Sequence, residues 1–375
     1  MIFVQVISIF LVPILLFRLE KVKSWFKPIV MSYVFGIFIG NLWPSLFEVG
    51  LAHEVTGVSI VLAIPLMLFS TNFTKLIRQP KILLLSYLLA VVATTISVFV
   101  GYWMFKDSLE NIALVSGMLE GVYTGGTVNL NAIAYSFQAS EELIILMNGF
   151  DWSFSGIYLL LIFTVLPKAL GYILPKTEIV EGGSELKEGK GFNQLDLNDQ
   201  IVSILKGVGL SVVLLGVMAG FTFFFYGRMD EMVLIFGITG LALVLSNIKP
   251  VRELKGNMVA ADYLMMVFGF TLGLQANVYE IFSDKSELFS YFMMTYSLML
   301  VIHLLLAKLF KVDVHSFLIS SSAAVFGPPF IGPIAESLKN RSLIAPGIIV
   351  ALVGNAMGTY LGILIVKLLL EYMKV

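Results

Sequence analysis

Residues 121–134, GVYTGGTVNLNAIA, lie inside a hydrophobic segment that extends over residues 111–137, yet they are rich in Gly, Thr and Asn. A helix that only anchors a protein in a bilayer has no need of this composition. A related stretch, FGPPFIGPIA, occupies residues 326–335 in the second half of the chain. Because glycine and proline interrupt helices, both stretches predict segments that are broken at membrane depth.

The composition is that of a membrane protein. Of the 375 residues, 58% are hydrophobic and only 13% are charged, and the mean hydropathy is +0.93. Apolar runs of about 20 residues span a bilayer as helices, and the runs here are continuous rather than alternating. We therefore predict an all-α polytopic membrane protein with apolar segments at about 1–17, 28–47, 57–72, 82–105, 111–137, 143–166, 200–226, 230–248, 259–280, 288–307, 314–338 and 342–366.

Several classes of function have no support in the sequence. There is no cysteine, and the three histidines, His53, His303 and His315, are too scattered to form a metal site. The net charge of −1 gives no reason to expect a nucleic-acid partner. No nucleotide-binding loop and no protease motif occurs, so we expect neither a primary pump nor an enzyme.

The basic loops predict which segments cross the membrane, because loops rich in Lys and Arg stay cytoplasmic. If 111–137 crossed fully, the basic loop at 249–255 would fall outside. If 111–137 enters and returns on one side, that loop stays inside with the basic loop at 75–81. The same reasoning makes 314–338 non-crossing. The charges thus predict two re-entrant hairpins and about ten helices that cross fully.

Two non-crossing hairpins give the halves of the chain opposite orientations, which makes them an inverted repeat. We predict a first repeat at 1–174, a cytoplasmic linker at 175–199 and a second repeat at 200–375, with the N-terminus outside. One hairpin then enters from outside and the other from inside. Their tips can meet near the midplane, which is the arrangement of secondary transporters.

The hairpin tips carry groups that can bind a small solute. The half-helices returning from the tips are expected to start near Thr127 and Pro329, and their N-terminal amides favour an anion such as a carboxylate. The alternative is that small residues only allow close helix packing, but the loop charges favour a site. The predicted solute-binding residues are Gly125, Gly126, Thr127, Asn129, Asn131, Gly327, Pro328 and Pro329.

Ionisable residues inside the membrane are costly and usually serve function. Asp151 lies in the unusually polar sequence NGFDWSFSG, and Asn355 is its approximate counterpart in the second half. Glu120 precedes the first tip, with a solvated position near the outer mouth as the alternative. We predict cation binding by Asp151, Glu120 and Asn355, together with tip carbonyls that could coordinate Na⁺, and no other cofactor.

Three pieces of the sequence resemble a known family. They are YTGGTVNLNAIA at 123–134, the Asp151 segment, and IAPGIIVALVGNAMGTYLGI at 344–363. They are similar to the YjcL-like family of bacterial integral membrane proteins of unknown function, over essentially the whole chain. That family is distantly similar to the sodium/glutamate and citrate/sodium symporters. The resemblance implies an elevator-type transporter in the bacterial cell (inner) membrane, with a dimeric scaffold and a mobile domain carrying the hairpins.

The leading hypothesis is a secondary transporter, coupled to Na⁺ or H⁺, for a small anionic or zwitterionic organic solute. The expected partners are this solute, the coupling cation, the lipid bilayer and a second copy of the chain. A Na⁺/H⁺ antiporter using Asp151 or Glu120 is the first alternative. An intramembrane enzyme using these two acids is a distant one, because no known catalytic motif accompanies them. The second tip has Phe-Gly-Pro-Pro where the symporters have a Gly-Gly pair, and no arginine lies near either tip, so a dicarboxylate is not favoured.

Overall fold

The computed structural model describes residues 2–20, 28–44, 47–69, 80–177, 197–227, 229, 231–254, 256–275 and 287–372. All regular structure in these ranges is helical. The α-helices are α1 (Ile2–Glu20), α2 (Pro28–Leu42), α3 (Val49–Phe69), α4 (Pro80–Phe105), α5 (Ile112–Gly125), α6 (Thr127–Ser136), α7 (Glu141–Thr164), α8 (Leu166–Leu170), α9 (Leu197–Tyr226), α10 (Glu231–Leu245), α11 (Lys249–Arg252), α12 (Asn257–Gln275), α13 (Glu287–Leu309), α14 (Val314–Phe326), α15 (Ile331–Ser337) and α16 (Ile344–Tyr372). Short 3₁₀ helices occupy Pro328–Phe330 and Arg341–Leu343.

Every predicted apolar segment corresponds to a helix or to a broken pair of helices. Among the described residues, seven helices are long and apolar enough to cross a membrane, namely α3, α4, α7, α9, α12, α13 and α16. The apolar stretches in α1, α2 and α10 are shorter. The all-α membrane fold is therefore confirmed, and the number of about ten crossing helices stays a prediction. The predicted linker at 175–199 lies almost entirely outside the described residues.

Side-chain caps fix where two of the site helices begin. Ser140 precedes α7, and its hydroxyl oxygen accepts a hydrogen bond from the backbone N–H of Leu143 at 3.2 Å. Asp313 precedes α14, and its Oδ1 accepts from the backbone N–H groups of His315 and Ser316, each at 3.1 Å. Such caps satisfy amides that the first helical turn leaves without a partner.

The chain forms two compact units. Unit 1 comprises Met1–Arg78, Ile179–Asn277 and Ala335–Ala345, and unit 2 comprises Gln79–Glu178, Val278–Ile334 and Pro346–Val375. Each half of the sequence contributes to both units, so a unit is not one of the predicted repeats. The repeat boundaries themselves concern internal symmetry and stay predictions.

In unit 1, α12 packs against both α2 and α3. Gly36 on α2 and Gly273 on α12 bring the two backbones so close that a Cβ at either position would overlap the other helix. Thr56 on α3 donates a hydrogen bond to Thr271 on α12, with 2.8 Å between the hydroxyl oxygens. Close approach at small residues and interhelical hydrogen bonds are the ordinary means of helix association in membranes.

Unit 2 holds the break points of both interrupted segments. Its helix α4 packs against α5, α13 and α14, and α7 lies against α6, α13 and α14. The helix α16 packs closely against α5 through glycines on both helices. The site described below is built entirely from residues of unit 2.

Candidate functional site

Residues 112–136 form hairpin 1, which turns at a single glycine. The helix α5 ends at Gly125, α6 begins at Thr127, and Gly126 between them has φ 94° and ψ 176°. This backbone conformation is essentially restricted to glycine. The chain reverses direction there. The two arms of the hairpin lie side by side, as shown by the 3.4 Å that would separate a Cβ on Gly121 of α5 from the Cβ of Asn129 on α6. The predicted break and the predicted start of the returning half-helix at Thr127 both agree with this geometry.

Residues 314–337 form hairpin 2, which turns at Gly327. The helix α14 ends at Phe326, and Gly327 has φ 75° and ψ −168°. Pro328 and Pro329 then open a 3₁₀ turn, and the α-helix resumes only at Ile331. The prediction that the returning half-helix starts near Pro329 agrees with this geometry, since the 3₁₀ turn that begins at Pro328 leads directly into the α-helix. Two successive prolines are tolerated in this first turn because its N–H groups would have no intrahelical acceptor, and the turn closes with the bond from the Ile331 N–H to the Pro328 carbonyl.

The two tips lie against each other backbone to backbone. A Cβ on Gly126 would lie 3.5 Å from the carbonyl oxygen of Phe326, and a Cβ on Gly327 would lie 3.5 Å from that of Gly125. The expected meeting of the tips is thus present within unit 2. Glycine at both positions allows the carbonyl groups of one tip to approach the other without a side chain between them.

Hydroxyl groups of α4 satisfy carbonyls at the interrupted end of α5. Tyr87 donates to the carbonyl of Thr124 at 2.6 Å, and Thr94 donates to the carbonyl of Tyr123 at 3.2 Å. A helix end leaves carbonyl groups without their usual partners, and inside a membrane water cannot replace these partners freely. Hydroxyl groups of α4 therefore satisfy carbonyls that the break in hairpin 1 would otherwise leave without partners.

Asp151 lies on α7 beside the tip of hairpin 1 and is only 3% exposed. Its Oδ2 accepts a hydrogen bond from the Thr127 hydroxyl at 2.9 Å, and its Oδ1 accepts from the Ser155 hydroxyl at 3.2 Å. Among the described residues, no group of three or more His, Asp or Glu side chains could hold a metal ion together. One carboxylate surrounded by neutral oxygens matches the charge of a monovalent cation.

Aromatic residues complete the surroundings of Asp151. The side chains of Tyr123 and Tyr296 lie within electrostatic range of its carboxylate, and their ring centroids are 4.9 Å apart. The Tyr123 hydroxyl is buried and has no hydrogen-bond partner among the described residues. On α7, the Tyr158 ring stacks on Phe326 of hairpin 2 at a centroid distance of 5.9 Å. Through these contacts α7 touches both hairpins.

The predicted amide groups join hairpin 1 to two other helices. Asn131 of α6 donates a hydrogen bond to Asn148 of α7 at 3.3 Å, and Asn148 donates one to Asn131 at 2.8 Å. Asn129 donates to Asn355 on α16 at 3.3 Å and accepts from the Thr359 hydroxyl at 2.7 Å. Asn355 is therefore placed against hairpin 1, and cation binding by Asn355 stays a prediction. In this conformation these amides hold helices together, and a direct contact of Asn129 or Asn131 with solute stays a prediction.

Glu120 lies on α5 and is completely buried. Its Oε1 lies 2.8 Å from the hydroxyl oxygen of Thr95 on α4, within hydrogen-bonding distance. The alternative that placed this residue in a solvated outer mouth is wrong. Glu120 and Asp151 share no hydrogen-bond partner, so the two predicted ion-binding acids belong to separate surroundings.

Glycines spaced by four residues set the contact between α5 and α16. A Cβ on Gly354, Gly358 or Gly362 would overlap the carbonyl oxygens of Thr124, Gly121 and Gly117, respectively. The alternative that small residues allow close helix packing therefore also holds. Gly126 turns the chain, whereas the glycines of α5 bring this helix into contact with α16. Sequence reasoning missed this pairing, although the repeated Gly-xxx-Gly spacing in both segments was a visible signal.

Other residues of the site were also missed from the sequence. Ser155 could have been found, because it follows Asp151 by four residues and such positions face each other on a helix. Thr95, Tyr123 and Tyr296 carry no comparable signal, since neither their spacing nor their sequence neighbours show which side chain each one faces. Their proximity to the acids depends on contacts between helices.

The chain was compared with known proteins. A family described as "Protein of unknown function (DUF819)" matches residues 9–372. The chain belongs to the DUF819 family. It is also similar to "Uncharacterized membrane protein YjcL" of Bacillus subtilis (strain 168), with 23% identity over 321 residues that cover 81% of each chain. The resemblance to a YjcL-like membrane family is thereby confirmed. Neither description states an activity, so the function of this DUF819 member has to be argued from its geometry.

Proposed function

We propose that the protein is a cation-coupled secondary transporter of a small anionic or zwitterionic organic solute. One observation carries this proposal: the buried Asp151 lies beside the point where two broken helices face each other. Broken helices with an acid at their tips have a high energetic cost in a membrane. Such an arrangement is tolerated where it lines a binding site for polar ligands.

The coupling cation is proposed to bind at Asp151. The carboxylate oxygens and the hydroxyl oxygens of Thr127 and Ser155 are hard ligands that suit Na⁺. Backbone carbonyls of the tips, such as that of Gly125, lie at the facing glycines. Proton binding on Asp151 is the alternative form of the same coupling, and the experiment below distinguishes the two.

The solute is proposed to bind beside the two tips. The ten-residue helix α6 starts at Thr127, so its N-terminal amides favour a carboxylate of the solute. The Tyr123 hydroxyl is a buried polar group without a partner among the described residues. The sequence contains no arginine between Arg78 and Arg228 to hold a second carboxylate. A monocarboxylate or an amino acid therefore fits better than a dicarboxylate.

Transport is proposed to use alternating access in an elevator-type architecture. Unit 2, which carries the tips, would be the mobile part, and unit 1 would be a scaffold that forms a homodimer in the bacterial cytoplasmic membrane. The contribution of each sequence half to both units supports an inverted repeat. The N-terminus would lie outside and the linker at 175–199 in the cytoplasm. No enzymatic activity is proposed.

The test is sodium uptake by proteoliposomes that contain the purified protein. External amino acids and organic acids are screened one at a time, with labelled Na⁺ as the readout, and the same solutes are tested with an imposed pH gradient in the absence of Na⁺. Uptake that depends on a solute and on either cation supports the proposal. Sodium flux driven by a pH gradient without any solute would instead favour the Na⁺/H⁺ antiporter.

Single cysteines are expected to report the two re-entrant hairpins. The natural chain has no cysteine, and Ser136, Lys308 and Lys339 are exposed. We expect a membrane-impermeant maleimide, added to intact cells, to label Ser136→Cys and not Lys308→Cys or Lys339→Cys. Permeabilised cells should label all three variants, which controls for reactivity. If hairpin 1 crossed the membrane, Ser136→Cys would be labelled only after permeabilisation. Protection of Lys308→Cys but not Lys339→Cys would show that hairpin 2 crosses.

A further inference from the structure

The proposed transport mechanism assigns no function to Glu120, the second buried acid of the site. Glu120 is completely buried on α5, the half-helix that ends at the break of hairpin 1. Its Oε1 contacts the Thr95 hydroxyl at 2.8 Å. Its Oε2 is buried and has no hydrogen-bond partner among the described residues. Glu120 therefore has far fewer polar contacts than a buried carboxylate requires.

The hydrogen bonds available to Thr95 indicate whether Glu120 is protonated or charged in this conformation. The Thr95 hydroxyl lies 2.8 Å from Glu120 Oε1 and 3.1 Å from the carbonyl of Val91. A hydroxyl has one hydrogen, so it cannot donate fully to both acceptors. If Glu120 carries a proton, it can donate to Thr95, and Thr95 can donate to Val91. Every donor in this chain of contacts then has an acceptor.

Among the described residues, no Lys, Arg or His side chain forms an ion pair with Glu120. The titratable side chains in electrostatic range among the described residues are Tyr87 of α4 and Tyr291 of α13. Their hydroxyls are engaged elsewhere: Tyr87 donates to the Thr124 carbonyl at 2.6 Å, and Tyr291 bonds the Ser116 hydroxyl at 2.7 Å. The helix α6 carries no charged residue, and α5 carries none besides Glu120. An unpaired buried carboxylate would be strongly destabilising.

We propose that Glu120 is a proton-binding site, occupied in this conformation and separate from the cation site at Asp151. Its function in transport rests on the function proposed above. The charged form of Glu120 requires water, so loss of the proton is thermodynamically linked to any movement that exposes the contact between α4 and α5. The cycle would then carry a proton on α5 in addition to the cation at Asp151.

Infrared difference spectroscopy tests whether the proton is present. The full-length protein in lipid nanodiscs is titrated from acidic to alkaline pH, and the C=O stretching band of protonated carboxyl groups is followed. We expect a band that disappears in Glu120→Gln and persists in Asp151→Asn. Thr95→Val should keep this band and shift its frequency, because the partner of the carboxyl is removed. Identical carboxyl bands in the natural protein and in Glu120→Gln would overturn the proposal.

Cysteine labelling tests the link to movement of hairpin 1. Val128 lies on α6 and is 45% exposed, so Val128→Cys can report on the tip. Its maleimide labelling rate is measured against pH with Glu120 present and with Glu120→Gln. The ratio of the two rates cancels the ordinary ionisation of the thiol. We expect this ratio to change with pH, and a constant ratio would overturn the link.

Neither measurement uses a solute or Na⁺, so the two proposals fail separately. A Glu120 band in a protein that transports nothing would overturn the proposed function and support the proton site. Cation-coupled uptake in a protein without that band would support the proposed function and overturn the proton site.

Discussion

Asp151→Asn is expected to abolish the cation dependence of the protein while leaving it folded. Asparagine has nearly the same shape but no charge, so the cation loses its only carboxylate ligand beside the Thr127 and Ser155 hydroxyls. A charge-assisted contact contributes about 1.5–3 kcal/mol, which corresponds to binding that is about 10- to 100-fold weaker. The measurements are the Na⁺-dependent shift of the melting temperature in detergent and cation-coupled uptake in proteoliposomes.

The controls for Asp151→Asn come from the same site. Ser153→Ala changes a half-buried residue of α7 whose hydroxyl donates to the Gly149 carbonyl of the same helix. It should behave as the natural protein does. Thr127→Val and Ser155→Ala should each weaken cation binding less than Asp151→Asn, because each removes one neutral oxygen. Without cation, Asp151→Asn should melt at the natural temperature or above it, since a buried charge is removed. An unchanged response to Na⁺ and to pH in Asp151→Asn would contradict the proposed cation site.

Gly354→Ala is expected to give the largest loss of stability among single-methyl changes in unit 2. A Cβ at this position would overlap both the Tyr87 hydroxyl and the Thr124 carbonyl, which are hydrogen-bonded to each other at 2.6 Å. Overpacking costs about 1–3 kcal/mol, and loss of the hydrogen bond adds about 1 kcal/mol. We expect a lower melting temperature of the purified protein and a lower yield from the membrane.

Gly216→Ala is the matched control, because Gly216 lies within α9 and a Cβ there would meet no atom within 4 Å. Alanine is favoured over glycine in a helix by up to about 1 kcal/mol, so this variant should melt at the natural temperature or slightly above. Equal melting temperatures for Gly354→Ala and Gly216→Ala would show that α5 and α16 do not pack through their glycines.

The positions of the helices and of the two interruptions could be predicted because they depend on local properties of the chain. An apolar run spans a membrane wherever it occurs in a sequence. A glycine such as Gly126 or Gly327 permits a backbone conformation that other residues rarely adopt. The meeting of the tips followed from loop charges, which require no knowledge of packing.

The partners of the polar residues could not be predicted in the same way. Asp151 was a plausible cation ligand from its position alone, but its contact with Thr127 depends on how α7 packs against hairpin 1. Asn355 was identified as the counterpart of Asp151 in the second half, but its hydrogen bond from Asn129 depends on how α16 packs against hairpin 1. Glu120 was ambiguous because burial depends on which helices surround α5 and not on the residues next to it.

Residues 121–134 show which features the sequence determines and which depend on tertiary packing. The sequence alone determined that this segment is interrupted, because Gly-Gly followed by polar residues disfavours one continuous apolar helix. Only the tertiary structure decided that Gly125 packs on Gly354, that Gly126 turns the chain, and that Thr127 meets Asp151. Backbone flexibility is a property of each residue, whereas a contact between segments distant in sequence is selected by the packing of the whole unit.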